Sequence, residues 1–503
     1  MTKRSTSTAG RRAAAGSIGS GPAMIGADSR EAASSLAGAG ASGAHGQRLR
    51  VGYACLARLS FDGAYAKELF ARSLKSLSVL DIEVIHALDL TVTEEDAEAL
   101  VERFHAERVD VALIQYGTFA LGTLMPILAD RLNIPFILWG VPEPSLAGPK
   151  LRSNSLCGIN MNAHTLMRLG RKYEYIFCQP EEAAAQLTPS FRVIACLKRL
   201  RRVRLGLVGY RAPGFYTSTF DEMELRKLIG VEVHHVTLAE LADEARGMEG
   251  SRVKREIDAI RATAPACDDA VTADELEKAA ALSLAFREVA ARNRLEAYAV
   301  KCWPEFSAHY GIMPCSTMSR LTDLGMLSAC EGDVYGAVTM LMEYYLTGLR
   351  PMFADFIAID EKRNTGLAWH CGSAPTCLAA RSSCVRLGKH PTADGGNKRG
   401  VTVNFPVEGR GPVTMARLGV GPEGLRMFFA GGEAVEPEAT LAGNCWAVRF
   451  ETPVRRLLDI ILDQGLEHHT ALVQADVRPD LRRIARWLGI KTLDVDSAGA
   501  GSL

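Results

Sequence analysis

Between Lys301 and Gly372 the sequence sets Glu331, Asp333, Asp355, Asp360, Glu361 and His370 among long apolar runs. An ionised carboxylate near a core needs a partner, because removing it from water costs several kcal/mol. A divalent cation is one such partner. Adjacent imidazoles follow at His468 and His469, in the segment GLEHHTALVQAD. Two carboxylates and one imidazole make an oxygen-rich set with room left for water or substrate. That set suits Mn²⁺ or Mg²⁺, with Co²⁺ and Fe²⁺ as further candidates. A dedicated zinc site would more often bring sulfur, and no cysteine pair accompanies these residues. Spacing alone leaves a bland reading open. Glu331 precedes an expected helix over 332–346, where a carboxylate is favoured electrostatically, whereas Asp355 follows Met352 and Phe353 in a strand-like run and is harder to explain without a partner.

Other groups could touch a polar substrate. Lys301, Trp303 and Glu305 lie together in KCWPEF, where Trp303 could also serve as core. Arg152, Asn154, Asn160, Asn162 and His164 cluster in LRSNSLCGINMNAH. Guanidinium and amide groups suit hydroxyl recognition, but the same run reads as a loop with an asparagine capping the next helix. His234 and His235 are neighbours in an expected strand, so they face opposite sides of its sheet and read as structural.

The elements that position these groups follow a strand–helix alternation from Arg48. LRVGYACLA, DIEVIHAL, DVALIQY and PFILWGVP are short apolar runs, with helical stretches between them over 65–77, 94–107 and 121–132. That alternation predicts a parallel sheet covered on both faces. Ligands in such sheets bind at the carboxyl ends of the strands, here the turns at Tyr116–Gly117 and Gly140–Pro144. A second unit runs from VRLGLVGY through VEVHHVT and a helix over Ala273–Asn293 to AYAVKCWP. The run KRLRR at Lys198–Arg202, just ahead of it, reads as a solvated connection. Beyond Gly372 short β-like runs punctuated by Gly and Pro predict a β-rich region, closed by a helix over 480–488. The expected divisions are a leader over 1–47, an α/β domain over 48–180, a second α/β domain over 181–355 bearing the carboxylates, and a β-rich domain over 356–503 bearing the His pair.

The 503 residues carry 58 basic and 58 acidic side chains. This balance gives no electrostatic case for nucleic-acid binding. No apolar run reaches the length that spans a bilayer. Twelve scattered cysteines without a CxxC pair are the pattern of reduced thiols, which points to the cytoplasm. The Ala-, Gly- and Ser-rich leader is expected to be disordered, with an organellar import signal as the other reading of its basic residues. No GxGxxG or Walker motif follows a strand, so a dinucleotide or P-loop site is not supported.

The blocks LRSNSLCGIN, VKCWPEF, ACEGDVYGA, FADFIAIDEKRN, LAWHCG and GLEHHTALVQAD, in this order, resemble the L-fucose/L-arabinose isomerase family, nearest to its fucose-isomerase-like branch. The resemblance covers roughly 48–490. It implies two Rossmann-like α/β domains followed by a β-rich C-terminal domain, and assembly as a trimer or hexamer. It implies a metal-dependent aldose–ketose isomerase, with Mn²⁺ as the usual ion, acting on a sugar through an enediol. Matched by motif, Glu331 and Asp355 are ligands and acid/base groups, and the His pair gives the third ligand, His469 before His468. His370 resembles a ligand or near-ligand of the arabinose branch, while Lys301, Trp303, Glu305, Arg152 and Asn154 are expected near the sugar. The sugar itself stays open, including deoxy, branched or sulfonated ones. The readings outside this class are a non-catalytic sugar-binding or regulatory protein and an epimerase using the same enediol chemistry.

Overall fold

The computed structural model describes residues 48–390, 400–407, 409–438 and 441–496. The expectation for the 1–47 leader lies outside them. The first sheet is fully parallel, in the order Ile82–His86, Leu49–Leu56, Val111–Tyr116, Phe136–Gly140, Tyr173–Phe177. Its three central strands are buried on both faces almost throughout. In Leu49–Leu56, Val51, Tyr53 and Cys55 enter one core layer while Ala54 and Leu56 enter the other, as the alternation of side chains requires. Local signals start the covering helices: Asp62 caps Gly63–Leu77, and Thr93 with Asp96 forms a capping box at Glu94–Ala106.

The second sheet has four parallel strands in the order Leu327–Cys330, Ala297–Val300, Arg204–Val208, Glu232–Val236. The expected helix Ala273–Asn293 is present with those ends, started by a Thr272–Glu275 capping box. The KRLRR run is corrected. Lys198–Leu200 closes a helix over Pro180–Leu200 that carries Pro189 inside it, and Lys198 pairs with Asp110 at 2.6 Å. The cations sit where the helix dipole favours them, at a C-terminus.

The third sheet has ten strands, from the two-residue Ala266–Cys267 onward, and its strand Met352–Asp360 straddles the expected 355/356 division. Within it Gly424–Val435 pairs with Pro412–Gly421 on one side and with Asn444–Phe450 on the other. The chain of pairings then runs on through Thr365–His370, Met352–Asp360 and His469–Val473 and returns to Pro412–Gly421. Six antiparallel strands therefore close into a ring, which removes their free edges. After the helix Arg478–Leu488 a short strand, Lys491–Asp494, joins the outside of Gly424–Val435. One continuous apolar core runs from Val193 to Val495 and serves both the second sheet and this ring.

Candidate active site

Glu331, Asp355 and His469 meet where the four-stranded sheet abuts the ring. Asp355 and His469 are direct cross-strand partners, so their side chains leave the same face a few ångströms apart. Glu331 arrives from the other sheet, immediately after Leu327–Cys330 at the carboxyl end of that parallel strand. It has φ +58°, a left-handed conformation that a residue with a Cβ seldom adopts. Gly332 follows at φ +74°, where any Cβ would overlap the carbonyl oxygen of Tyr210. Asp333 then caps the helix Val334–Thr347 by accepting from the Gly336 N–H. The ACEGD motif is thus a tight turn that ends a strand, points Glu331 at the ring and starts a helix.

The donors converge. His469 Nε2 lies 3.6 Å from Glu331 Oε2 and 3.6 Å from Asp355 Oδ1. Its other ring nitrogen, Nδ1, is 3.1 Å from Asp333 Oδ2. Asp333 is buried and also accepts from Arg417 Nη1 at 2.7 Å. Burial pushes Asp333 up, but Arg417 and His469 outweigh it and hold its carboxyl well below the usual carboxylate range. A carboxylate can only accept, so Nδ1 carries the proton and Nε2 presents its lone pair to the two acids. This is the arrangement by which a carboxylate orients a metal-ligating histidine.

A divalent cation fits these donors. Among the described residues Asp355 Oδ1 is buried with no hydrogen-bond partner, and it faces a lone pair on His469 and an acidic oxygen of Glu331. Without a cation, three acceptors oppose one another, which low-dielectric surroundings penalise. Glu331, Asp355 and His469 would hold the ion, and their oxygen-rich character suits Mn²⁺ or Mg²⁺.

His468 stands beside this set. Its Nε2 is 3.3 Å from Glu331 Oε2 and 4.0 Å from Asp355 Oδ1, its Nδ1 is 2.9 Å from Thr217 Oγ1, and its ring stacks on His469. Burial lowers the pKa of its imidazole, but Glu331 and Asp355 outweigh that and raise it. The ring borders Phe215, which in turn meets Trp303 edge to face at 5.6 Å. Trp303 is therefore tied to the wall of the site. Lys301 and Glu305 form an ion pair with each other one turn along. His370 ends the strand next to Asp355, 6.2 Å ring to ring from His469, with Nδ1 2.9 Å from Ser373 Oγ. It flanks the three donors.

Arg152 and Asn154 are elsewhere, at the carboxyl edge of the first sheet. Arg152 pairs with Asp62 and covers the Tyr65 ring, and the Glu143 carboxylate gathers the backbone N–H groups of Arg152, Ser153 and Asn154. Among the described residues no contact joins them to Glu331, Asp355 or His469. The capping reading is corrected too: Asn154 occupies the N-cap of Ser155–Arg168, but its side chain makes no capping bond. Asp360 ends the strand Met352–Asp360 and accepts from Lys362 and Arg363 N–H of the turn that Glu361 opens.

Residues 52–201 match the N-terminal domain of the fucose/sulfoquinovose isomerases. Over 454 residues the chain is 32% identical to a sulfoquinovose isomerase of Alkalicoccus urumqiensis, covering 89% of this chain and 100% of that protein. The chain belongs to the fucose/sulfoquinovose isomerase family. A sulfoquinovose isomerase of Priestia aryabhattai is 30% identical over 456 residues, covering 89% of this chain and 99% of that protein. Among solved structures, an Actinobacillus succinogenes periplasmic solute-binding protein with bound D-allose aligns at 12% identity over 59% of this chain and 92% of that chain, with TM-score 0.15, and carries no argument.

In this family member sequence reasoning named Asp333 among the acids but not its role, and missed Arg417. Asp333 had a signal for a cap, its place three residues before Gly336 at a helix start. Arg417 had none: a single cation in PVTMARLGV reads like any outward residue of a strand, yet it is 1% exposed and holds Asp333.

Proposed function

We propose that the chain interconverts a 6-sulfonated aldose and its ketose at the Glu331–Asp355–His469 centre, with the enzyme class, an aldose–ketose isomerase, following from its relatives. The convergence of Glu331, Asp355 and His469 on one point, with Asp355 Oδ1 left unpartnered among the described residues, supports a metal-assisted reaction there. Isomerisation moves a proton from C2 to C1 of the open-chain sugar and a second one between the two oxygens. Such a shift needs bases within reach of both positions. Glu331 and Asp355 provide one carboxylate on each side of the centre. One takes the C2 proton and the other manages the proton at C1 or at the oxygens. His468, hydrogen-bonded to Glu331 and 37% exposed at its side chain, can hold a proton at Nε2 beside that carboxylate. A bound divalent ion would supply positive charge against the enediolate oxygens. Trp303 and Phe215 close one side and limit water. Assembly as a trimer or hexamer belongs to the same proposal.

The test is proton NMR of sulfoquinovose, fucose and arabinose incubated with the protein and Mn²⁺ in D₂O, beside a chelator control. Ketose formation with deuterium at C2 of sulfoquinovose, lost on chelation, is the expected result. Exchange that persists in chelator would overturn the metal reading, and a preference for an unsulfonated sugar would overturn the substrate class.

A further inference from the structure

A second donor cluster lies outside the isomerase centre and is made of softer atoms. Cys315 is the first residue of the helix Cys315–Asp323. Cys371 directly follows the ring strand Thr365–His370, and His390 directly follows the strand Arg386–Lys389. One donor atom from each of the three lies within 4.8 Å of the other two. Cys315 and His390 are buried, and Cys371 is half-buried.

The sulfur spacing of this cluster is the one a shared zinc would set. Two thiolates on one tetrahedral zinc, each about 2.3 Å from it, lie about 3.8 Å apart. Cys315 Sγ and Cys371 Sγ are 3.8 Å apart. The other close pair, Cys302 and Cys330, is at 3.1 Å. That is shorter than a shared zinc allows and longer than the roughly 2.05 Å of a disulfide. Charge agrees with the geometry. Two thiolates and a neutral imidazole carry two negative charges, so a divalent ion makes the site neutral, and a buried site tolerates no less. Each thiol gives up its proton to water as the ion binds.

We infer that Cys315, Cys371 and His390 form a three-ligand site for a thiophilic divalent cation of the zinc type, separate from the oxygen-rich centre of Glu331, Asp355 and His469. The fourth position faces the half-exposed side of Cys371 and is filled by water. The ion ties together a helix behind the second sheet, the end of a ring strand and an outer strand, three pieces remote in sequence.

Co²⁺ is the probe, because tetrahedral thiolate coordination gives it intense visible bands and a near-ultraviolet thiolate-to-cobalt charge transfer. The titration uses the reduced full-length chain carrying Glu331→Gln and Asp355→Asn, so that the oxygen-rich centre is silent. The expected result is one equivalent of Co²⁺ with the thiolate signature, displaced by Zn²⁺. Cys371→Ser abolishes the signature, Cys302→Ser leaves it intact, and His390→Gln weakens Co²⁺ affinity at least tenfold while both thiolate bands persist. Absence of the signature in the parent protein overturns the inference. So does its survival in Cys371→Ser, or its loss in Cys302→Ser, which would move the site to the other pair. Should Cys371→Ser not fold, the affinity change in His390→Gln decides.

Discussion

His469 can serve as a ligand only because Asp333 fixes its tautomer, and Asp333 is ionised only because Arg417 faces it in the core. Arg417 Nη2 also reaches the carbonyl of Thr217 at 3.5 Å, whose hydroxyl meets His468. One guanidinium thus steadies both histidines. Asp333→Asn can still cap the helix through its amide oxygen, but it loses the charge that organises the ring. Mn²⁺ affinity by calorimetry is expected to fall about 10–100-fold. Glu331→Gln and Asp355→Asn each lose a ligand and a base, so kcat is expected to fall by at least about a thousandfold, with an unchanged circular dichroism spectrum. Near-native turnover in either would refute the centre. Glu343, on the same helix as Asp333, is a different kind of buried acid. Among the described residues both its oxygens lack a partner, and burial pushes its carboxyl well above the usual range. Below about pH 4 the unfolded carboxyl is protonated too, and the group leaves stability unchanged. As pH rises the unfolded chain releases a proton that the folded chain keeps. Stability then falls by about 1.4 kcal/mol per pH unit until the folded group ionises. Glu343→Gln removes that slope, so its Tm advantage over the native protein is expected to be larger at pH 8 than at pH 5.

At the scale of elements, the turn after Leu327–Cys330 carries the strain. Glu331 at φ +58° is held by the Gly332 N–H to Val300 carbonyl bond and by the close approach of Tyr210. Glu331→Gly relieves that backbone and removes one of two facing carboxylates. The metal-free variant is expected to melt higher, by the equivalent of about 1 kcal/mol, while being inactive. Gly332→Ala is expected to lower Tm or prevent folding, because its Cβ would strike backbone. The strand Leu327–Cys330 before this turn was not read from the sequence, because four residues are too short a run to carry a pattern. The strand bearing Asp355 and the helix after Glu331 were legible, since apolar runs are local signals. The helix Pro180–Leu200 was hidden by Pro189 and by a basic end that resembles a loop. Closure of the ring was hidden more deeply. It depends on Gly424–Val435 pairing on two sides, and a strand's second partner leaves no mark on its own residues. The Cys315–Cys371–His390 cluster was invisible for a related reason, as its spacing follows no zinc motif.

At the scale of the whole molecule, the proposed centre sits on a seam between two sheets that share one core. A cation bound there touches both sides, so it stabilises their union by mass action. At a hundredfold excess over Kd the gain is about 2.7 kcal/mol. Mn²⁺ is expected to raise the melting temperature as a single transition, and Asp355→Asn should abolish most of that rise. Two separated transitions would show that the seam opens on its own. The order of the ligands along the chain has a further consequence for biosynthesis. Glu331 leaves the ribosome first, Asp355 soon after, and His469 only after the hairpin Pro412–Val435 has been made. Until that last histidine emerges, a nascent chain has no complete nest for the ion. Uptake of metal at this proposed centre would therefore be a late event, and a product stalled before His469 would leave the centre unloaded.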